Sequence, residues 1–156
     1  MAEETLVATN RRARHDYFIE DSVEVGIVLR GTEVKSLRDH RASFVDAHAR
    51  VEDGEVWLHG LHISPYEQGN RWNAPPLRPR KLLLHRREIL RLRQRTEQRG
   101  YTLIPLRVYF NARGVAKVQL GICRGKRQYD KKRAIAERDA QRDLERELRE
   151  RTKQGT

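Results

Sequence analysis

The chain has 156 residues, so one domain with an appendage is the natural expectation. Its formal net charge is +11 and only 37% of its residues are apolar. The isoelectric point is near 10.4. That balance points to a polyanionic partner, nucleic acid first and an anionic membrane surface second. The single cysteine, Cys123, excludes an intrachain disulfide and a cysteine-based zinc site, and it fits a reducing cytoplasmic compartment. Met1 to Thr9 carries Glu3 and Glu4 and reads as a disordered N-terminus rather than a signal peptide. No stretch approaches the roughly 18 apolar residues of a membrane span.

Asn10 to His15 reads as a basic lead-in to the first strand. Asp16 to Ile19 and Val23 to Leu29 read as two short strands about a Glu20-Asp21-Ser22 turn, because apolar residues alternate and β-branched side chains recur. Gly31 to Arg38 changes period: Val34, Leu37 and Arg38 share a helical face, and Thr32 is the expected cap. Asp53-Gly54 between alternating runs predicts a hairpin of Phe44 to Glu52 with Glu55 to Ile63. Ser64 to Arg80, with its prolines, is a loop whose Tyr66, Arg71 and Trp72 suit either RNA contact or covering of the core.

After the short apolar run Lys81 to Leu84, His85 to Arg99 is a helix with Ile89 and Leu92 inward, and Gly100 stops it. Tyr101 to Phe110 and Val115 to Ile122 form a second hairpin. About six antiparallel strands with two helices avoid open edges by closing into a small barrel of the oligonucleotide-binding type, with a half-open sandwich as the second choice. This barrel domain is expected over 10–125, followed by a basic hinge and tail over 126–156, with Gly121 and Gly125 loosening the junction. The tail places Ala136, Ala140, Leu144 and Leu148 in a narrow apolar line beside rows of charge. It has little to bury, so it should be disordered alone and helical when bound.

Chemistry for catalysis is not found. Gly121 to Lys126 is one residue short of a phosphate-binding loop, and Arg127 stands where a hydroxyl is needed. His59 and His62 point to opposite faces of a strand, which disfavours a shared metal. No catalytic residue, metal or cofactor is assigned. Positive charge is instead clustered: Arg11, Arg12 and Arg14 before the first strand, Arg78, Arg80 and Lys81 before the second helix, and Lys126, Arg127, Lys131, Lys132 and Arg133 after the last strand. Such clusters neutralise phosphates, and binding through them weakens with salt.

Four co-linear blocks then carry a resemblance: Asn10 to Ile19, Gly31 to Arg38, Arg80 to Leu84 and Gly125 to Arg133. Together they resemble the SsrA-binding protein family, also called small protein B, from about Asn10 to Arg133. The proline-rich loop from Asn73 to Arg80 departs from the family pattern. The resemblance implies an oligonucleotide-binding-type barrel with a C-terminal tail. The implied function is an RNA-binding adaptor, not an enzyme. It would bind the tRNA-like domain of transfer-messenger RNA and deliver it to stalled ribosomes for trans-translation. The implied partners are that RNA, the small ribosomal subunit and, indirectly, elongation factor Tu on the charged RNA, with the chain a monomer. Carried over by position, Asn10, Glu24, Leu83 and Lys117 face the RNA, with Lys126 and Arg127 near the hinge. His15 falls near the decoding centre, and Asp130, Lys131 and Lys132, with Arg133, form the hinge-proximal part of the tail. A basic ribosomal or assembly protein is the alternative, and an RNA-processing enzyme the third reading.

Overall fold

The computed structural model describes residues 3–154, with the side chains of 70–72, 127–134 and 151–154 outside the description. In chain order it has β1 (Thr5–Thr9), α1 (Arg11–Asp16), β2 (Tyr17–Ile27), α2 (Gly31–Arg38), β3 (Ala42–Glu52) and β4 (Glu55–Ile63). A 3-10 turn (Glu67–Trp72) then leads to β5 (Arg80–Leu83), α3 (Arg86–Thr96), β6 (Tyr101–Phe110), β7 (Ala116–Gly125) and α4 (Lys126–Gln154). Every strand pairing is antiparallel. The order β6-β3-β4-β5-β2-β7 closes because β7 pairs back onto β6, and β1 adds a seventh strand outside that circuit. A closed barrel removes the open edges that a sheet of this size would otherwise present.

The hairpin expected at Asp53-Gly54 is present, and both residues take positive φ, 51° and 75°. That geometry matches the right-handed twist of the flanking strands. The sidedness of β4 changes along its length: Val56 and Leu58 point into the core at one end, Leu61 and Ile63 at the other. An unbroken strand cannot do this, because side chains alternate with a period of two. Gly60 supplies the break, with φ 83° and a backbone so close to β3 that a Cβ would sit 2.4 Å from the Val45 carbonyl oxygen. Opposite it the register slips between Phe44 and His48, and Asp46 also has positive φ.

Inside the barrel Val25, Leu58, Leu82, Leu103, Val118 and Leu120 are buried. Leu37 from α2 and Leu92 from α3 join the same cluster. Two short helices thus seal the core with one buried leucine each. Truncating such a leucine to alanine costs about 2–5 kcal/mol.

Several expectations need correction. Residues Thr5–Thr9 are a strand, not disordered: β6 offers its far half as an edge, and Val7 packs against the core. Asn10 to His15 is not a strand lead-in, because Arg11–Asp16 is helical and Ala13 is buried against Ile104 and Cys123. The expected Glu20-Asp21-Ser22 turn is a bulge within one continuous strand, which pairs with β7 from Tyr17 to Gly26. Glu33, not Thr32, caps α2, accepting a hydrogen bond from the Arg30 backbone N–H at 2.9 Å. Gly121 is not part of a hinge. It is buried in β7, where a Cβ would come within 3.0 Å of Leu106.

The tail, expected to be helical when bound, is the continuous helix α4. Arg, Glu, Ala and Leu are all strong helix formers, and together they favour that conformation over twenty-nine residues. What the helix lacks is a packing surface, since its described residues from Ile135 to Glu150 are exposed. Among the described residues, no helix is long and apolar enough to cross a membrane.

Candidate nucleic-acid interface

The barrel register builds a polar outer face from residues that sequence spacing keeps far apart. One row across β1, β6, β7, β2 and β5 runs Leu6, Tyr109, Lys117, Gly26, Leu83. The adjacent row runs Thr9, Arg107, Gln119, Glu24. Lys117, Leu83 and Glu24 therefore meet on one surface. Gly26 between Lys117 and Leu83 leaves a shallow floor, and a Cβ there would press on Leu83 at 3.2 Å. Leu83 remains 52% exposed.

Within this face the side chains hold one another. The Tyr109 hydroxyl donates to the Glu24 carboxylate. Arg107 lies over the Tyr109 ring at 4.2 Å, and its Nε donates to Gln119 Oε1 at 2.7 Å. Gln119 Nε2 donates to Ser22 Oγ at 3.0 Å, and Arg107 Nη1 reaches Glu4 Oε2 at 3.3 Å. Tyr109 is only 1% exposed although it faces outward, so base stacking on its ring is closed off. Burial, then the hydrogen bond to Glu24, push its phenol above the ordinary value, keeping it a proton donor to that carboxylate. The result is a fixed acceptor, Glu24, beside a cation, Lys117. The family resemblance named both, but not Tyr109, Arg107 and Gln119 as their supports, because only register reveals them.

A groove continues from this face toward the tail, lined by Asn10, Arg14, Phe18, Arg107, Gln119 and Lys126. Lys126 Nζ donates to the Arg14 carbonyl at 3.0 Å and lies 5.2 Å over the Phe18 ring. Asn10 is tied to the barrel: its side-chain amide donates to the Pro105 carbonyl at 2.9 Å. Arg11 is exposed on α1, and Arg12 faces Asp46 across 3.8 Å. His15 is exposed, with Nδ1 2.9 Å from Asp16 Oδ1. Lys81 pairs with Glu55 at 2.8 Å, which draws it toward β4. The side chains of Arg127, Asp130, Lys131, Lys132 and Arg133 lie outside the described residues, as do those of Arg71 and Trp72.

The cluster expected at Arg78 and Arg80 is not a phosphate site. Arg80 is buried and donates through Nε to Glu33 Oε2 at 2.7 Å and through Nη2 to the Pro76 carbonyl at 3.0 Å. Arg78 donates to the same carboxylate through Nε at 3.1 Å. These arginines hold the loop onto α2. Histidine chemistry is also rearranged: His59 stacks on His48 with ring centroids 5.4 Å apart. Among the described residues, no group of three or more His, Cys, Asp or Glu could hold a metal ion. Cys123 is fully buried and its thiol is pushed up to about 12, so it is a packing residue.

These features define a small, basic, closed antiparallel barrel with one organised polar face and a projecting charged helix. The model of the SmpB protein family matches residues 7–150. An SsrA-binding protein of Moorella thermoacetica is 63% identical over 148 residues, covering 95% of this chain and 96% of that protein. One of Geobacillus thermodenitrificans is 56% identical over 151 residues, covering 97% of each. Among solved structures, a chain of "tmRNA-SmpB: a journey to the center of the bacterial ribosome" is 56% identical with a TM-score of 0.66. The match spans 76% of this chain and 83% of that one. The chain belongs to the SmpB protein family.

Proposed function

We propose that the chain is an RNA-binding adaptor of trans-translation. It binds the tRNA-like domain of transfer-messenger RNA and delivers that RNA to stalled ribosomes. The observation that carries this reading is the Glu24–Lys117–Leu83 face, assembled on a barrel of this family. Lys117 neutralises phosphate and supplies affinity. Glu24 repels phosphate, so its role is to accept hydrogen bonds from base amino groups or a ribose 2′-OH. Selectivity for one RNA fold then comes from the carboxylate and the shallow floor beside it, and the salt-sensitive part from lysine and arginine.

In this reading the barrel over 10–125 and the tail over 126–156 are separate working parts. Asn10, Arg11, Arg12, Lys81, Lys126 and Arg127 extend the RNA contact. His15 on α1 approaches the decoding centre of the small subunit, and Asp130, Lys131, Lys132 and Arg133 lead the tail into it. There α4 gains the packing surface it lacks in the free chain. The chain acts as a cytoplasmic monomer and meets elongation factor Tu only through the charged RNA. It positions RNA and catalyses nothing.

The test is a titration against the isolated tRNA-like domain, with ordinary tRNA as competitor, at several salt concentrations. Preference for the tRNA-like domain that survives physiological salt is expected. Equal binding to both RNAs, vanishing as salt rises, would leave only a general polyanion binder and favour a ribosomal or assembly role.

A further inference from the structure

A second basic surface lies on α3, apart from the face just described. Ile89 and Leu92 turn inward, Leu92 into the core. Arg87, Leu90, Arg91 and Gln94 follow the i, i+3, i+4, i+7 spacing and share the solvent side. Leu90 is 54% exposed among them.

The arginines of this helix divide into two sets. Arg95 turns back to Glu20 at 3.4 Å and Asp21 at 3.5 Å, and Arg93 pairs with Glu97 at 3.4 Å. The Arg95 contacts tie the helix to β2, and the Arg93 contact stays at the end of the helix itself. Among the described residues, Arg86, Arg87 and Arg91 have no ion-pair partner. Arg87 and Arg91 stand four apart, as do Arg91 and Arg95, and like charges at that spacing oppose helix formation. Folding gains nothing from this arrangement. A partner that supplies the counter-charge explains it.

We infer that the outer face of α3, through Arg86, Arg87 and Arg91, docks on the phosphate backbone of ribosomal RNA. The inference rests on the adaptor reading: the Glu24–Lys117 face serves the first RNA and the tail enters the decoding centre, so α3 adds a further contact by which the barrel itself holds ribosomal RNA. Nothing on the outer row of α3 resembles Glu24: Glu88 is the acid within the helix, and Glu97 at its C-terminal cap is paired with Arg93. Recognition there is of backbone charge without base reading. Leu90 offers an apolar contact between the guanidinium groups, and the buried Leu92 keeps the face presented.

The experiment compares wild type with the double variants Arg87→Glu/Arg91→Glu and Arg87→Gln/Arg91→Gln, and with Arg113→Glu, which lowers the net charge by two as the Gln double variant does. Each is titrated against the isolated tRNA-like domain and, separately, against purified ribosomes freed of transfer-messenger RNA. The Gln variant guards against misfolding of the charge-reversed one, and circular dichroism reports on both. Expected is a roughly tenfold or greater loss of ribosome affinity, with the salt slope shallower by about two, one per lost phosphate contact. Affinity of the Gln double variant for the tRNA-like domain should change no more than that of the Arg113→Glu control. Ribosome affinity equal to that control would overturn the inference, and so would an equal loss on both RNAs, which would place α3 in the first interface. A wild-type chain that fails to prefer the tRNA-like domain over tRNA would instead sink the underlying adaptor reading, whatever the α3 variants do.

Discussion

Arg80 and Glu33 form an ion pair sealed from water, with side chains only 1% and 4% exposed. They lie 47 positions apart in the chain. The pair fastens β5 and the loop before it to the first turn of α2. Removing one partner strands a buried charge, which typically costs 3–5 kcal/mol, so Glu33→Ala should destabilise the barrel by about 3 kcal/mol or more. Urea unfolding followed by far-UV circular dichroism checks this.

The same carboxyl sets an acid limit. Burial alone would raise its pKa, but hydrogen bonds from Arg78, the Arg30 backbone and Arg80, with the Arg80 charge, outweigh that and hold it below the ordinary 4.5. A depressed folded-state pKa gives stability that is present above the unfolded value and lost as pH falls through the folded one. The stability difference between wild type and Glu33→Gln should therefore be constant near neutrality and shrink below about pH 4.5. A difference that stays flat down to acid unfolding would remove Glu33 as the titrating group.

Tyr109 and Glu24 should act as a unit in RNA binding. Tyr109→Phe deletes only the donor and should cost about 1 kcal/mol of stability. If Tyr109 holds Glu24 in place, Tyr109→Phe and Glu24→Gln should each weaken binding to the tRNA-like domain, by about three- to tenfold, and the double variant should do little further damage. Additive losses would mean that the two act separately.

Gly60→Ala should destabilise by at least about 2 kcal/mol, because the site combines a left-handed φ with a contact no Cβ can make. Gly54→Ala strains the backbone without that contact, since nothing lies within 4 Å, and should be the milder change in the same unfolding assay.

Truncation after Tyr129 should spare binding to the tRNA-like domain and abolish peptide tagging. Equal loss of both would remove the division of labour between barrel and tail. In the full chain, amide exchange should be fastest along α4 beyond Ile135, where the structure shows exposed residues and so no tertiary packing to slow opening.

Local signals in the sequence were reliable where local physics decides the outcome. Asp53-Gly54 demanded a tight hairpin and made one, and Val34 and Leu37 declared α2 by their spacing. The sidedness of β4 was hidden because Gly60 works through Val45 on the neighbouring strand. Arg80 looked like a phosphate ligand because its counter-ion is distant in sequence. The candidate face was half legible: family resemblance picked out Glu24, Leu83 and Lys117, but no spacing rule connects Tyr109 to Glu24. That link needs the register of β2, β7 and β6 together.

The passage from β7 into α4 has no intervening loop: the strand ends at Gly125 and the helix starts at Lys126. Twenty-nine helical residues reach about 43 Å at 1.5 Å each. β7 also carries Lys117 and Gln119, so the strand that would seat the RNA is the one from which this rod departs. Gly125 itself is still held by the barrel, its N–H donating to the Gly100 carbonyl at 3.4 Å and its backbone paired with Tyr17. A difference of roughly 10° in the direction of such a rod displaces its far end by about 7.5 Å. With no loop between them, strand and helix are coupled directly, so the direction in which β7 leaves the barrel sets where the far end of α4 lies.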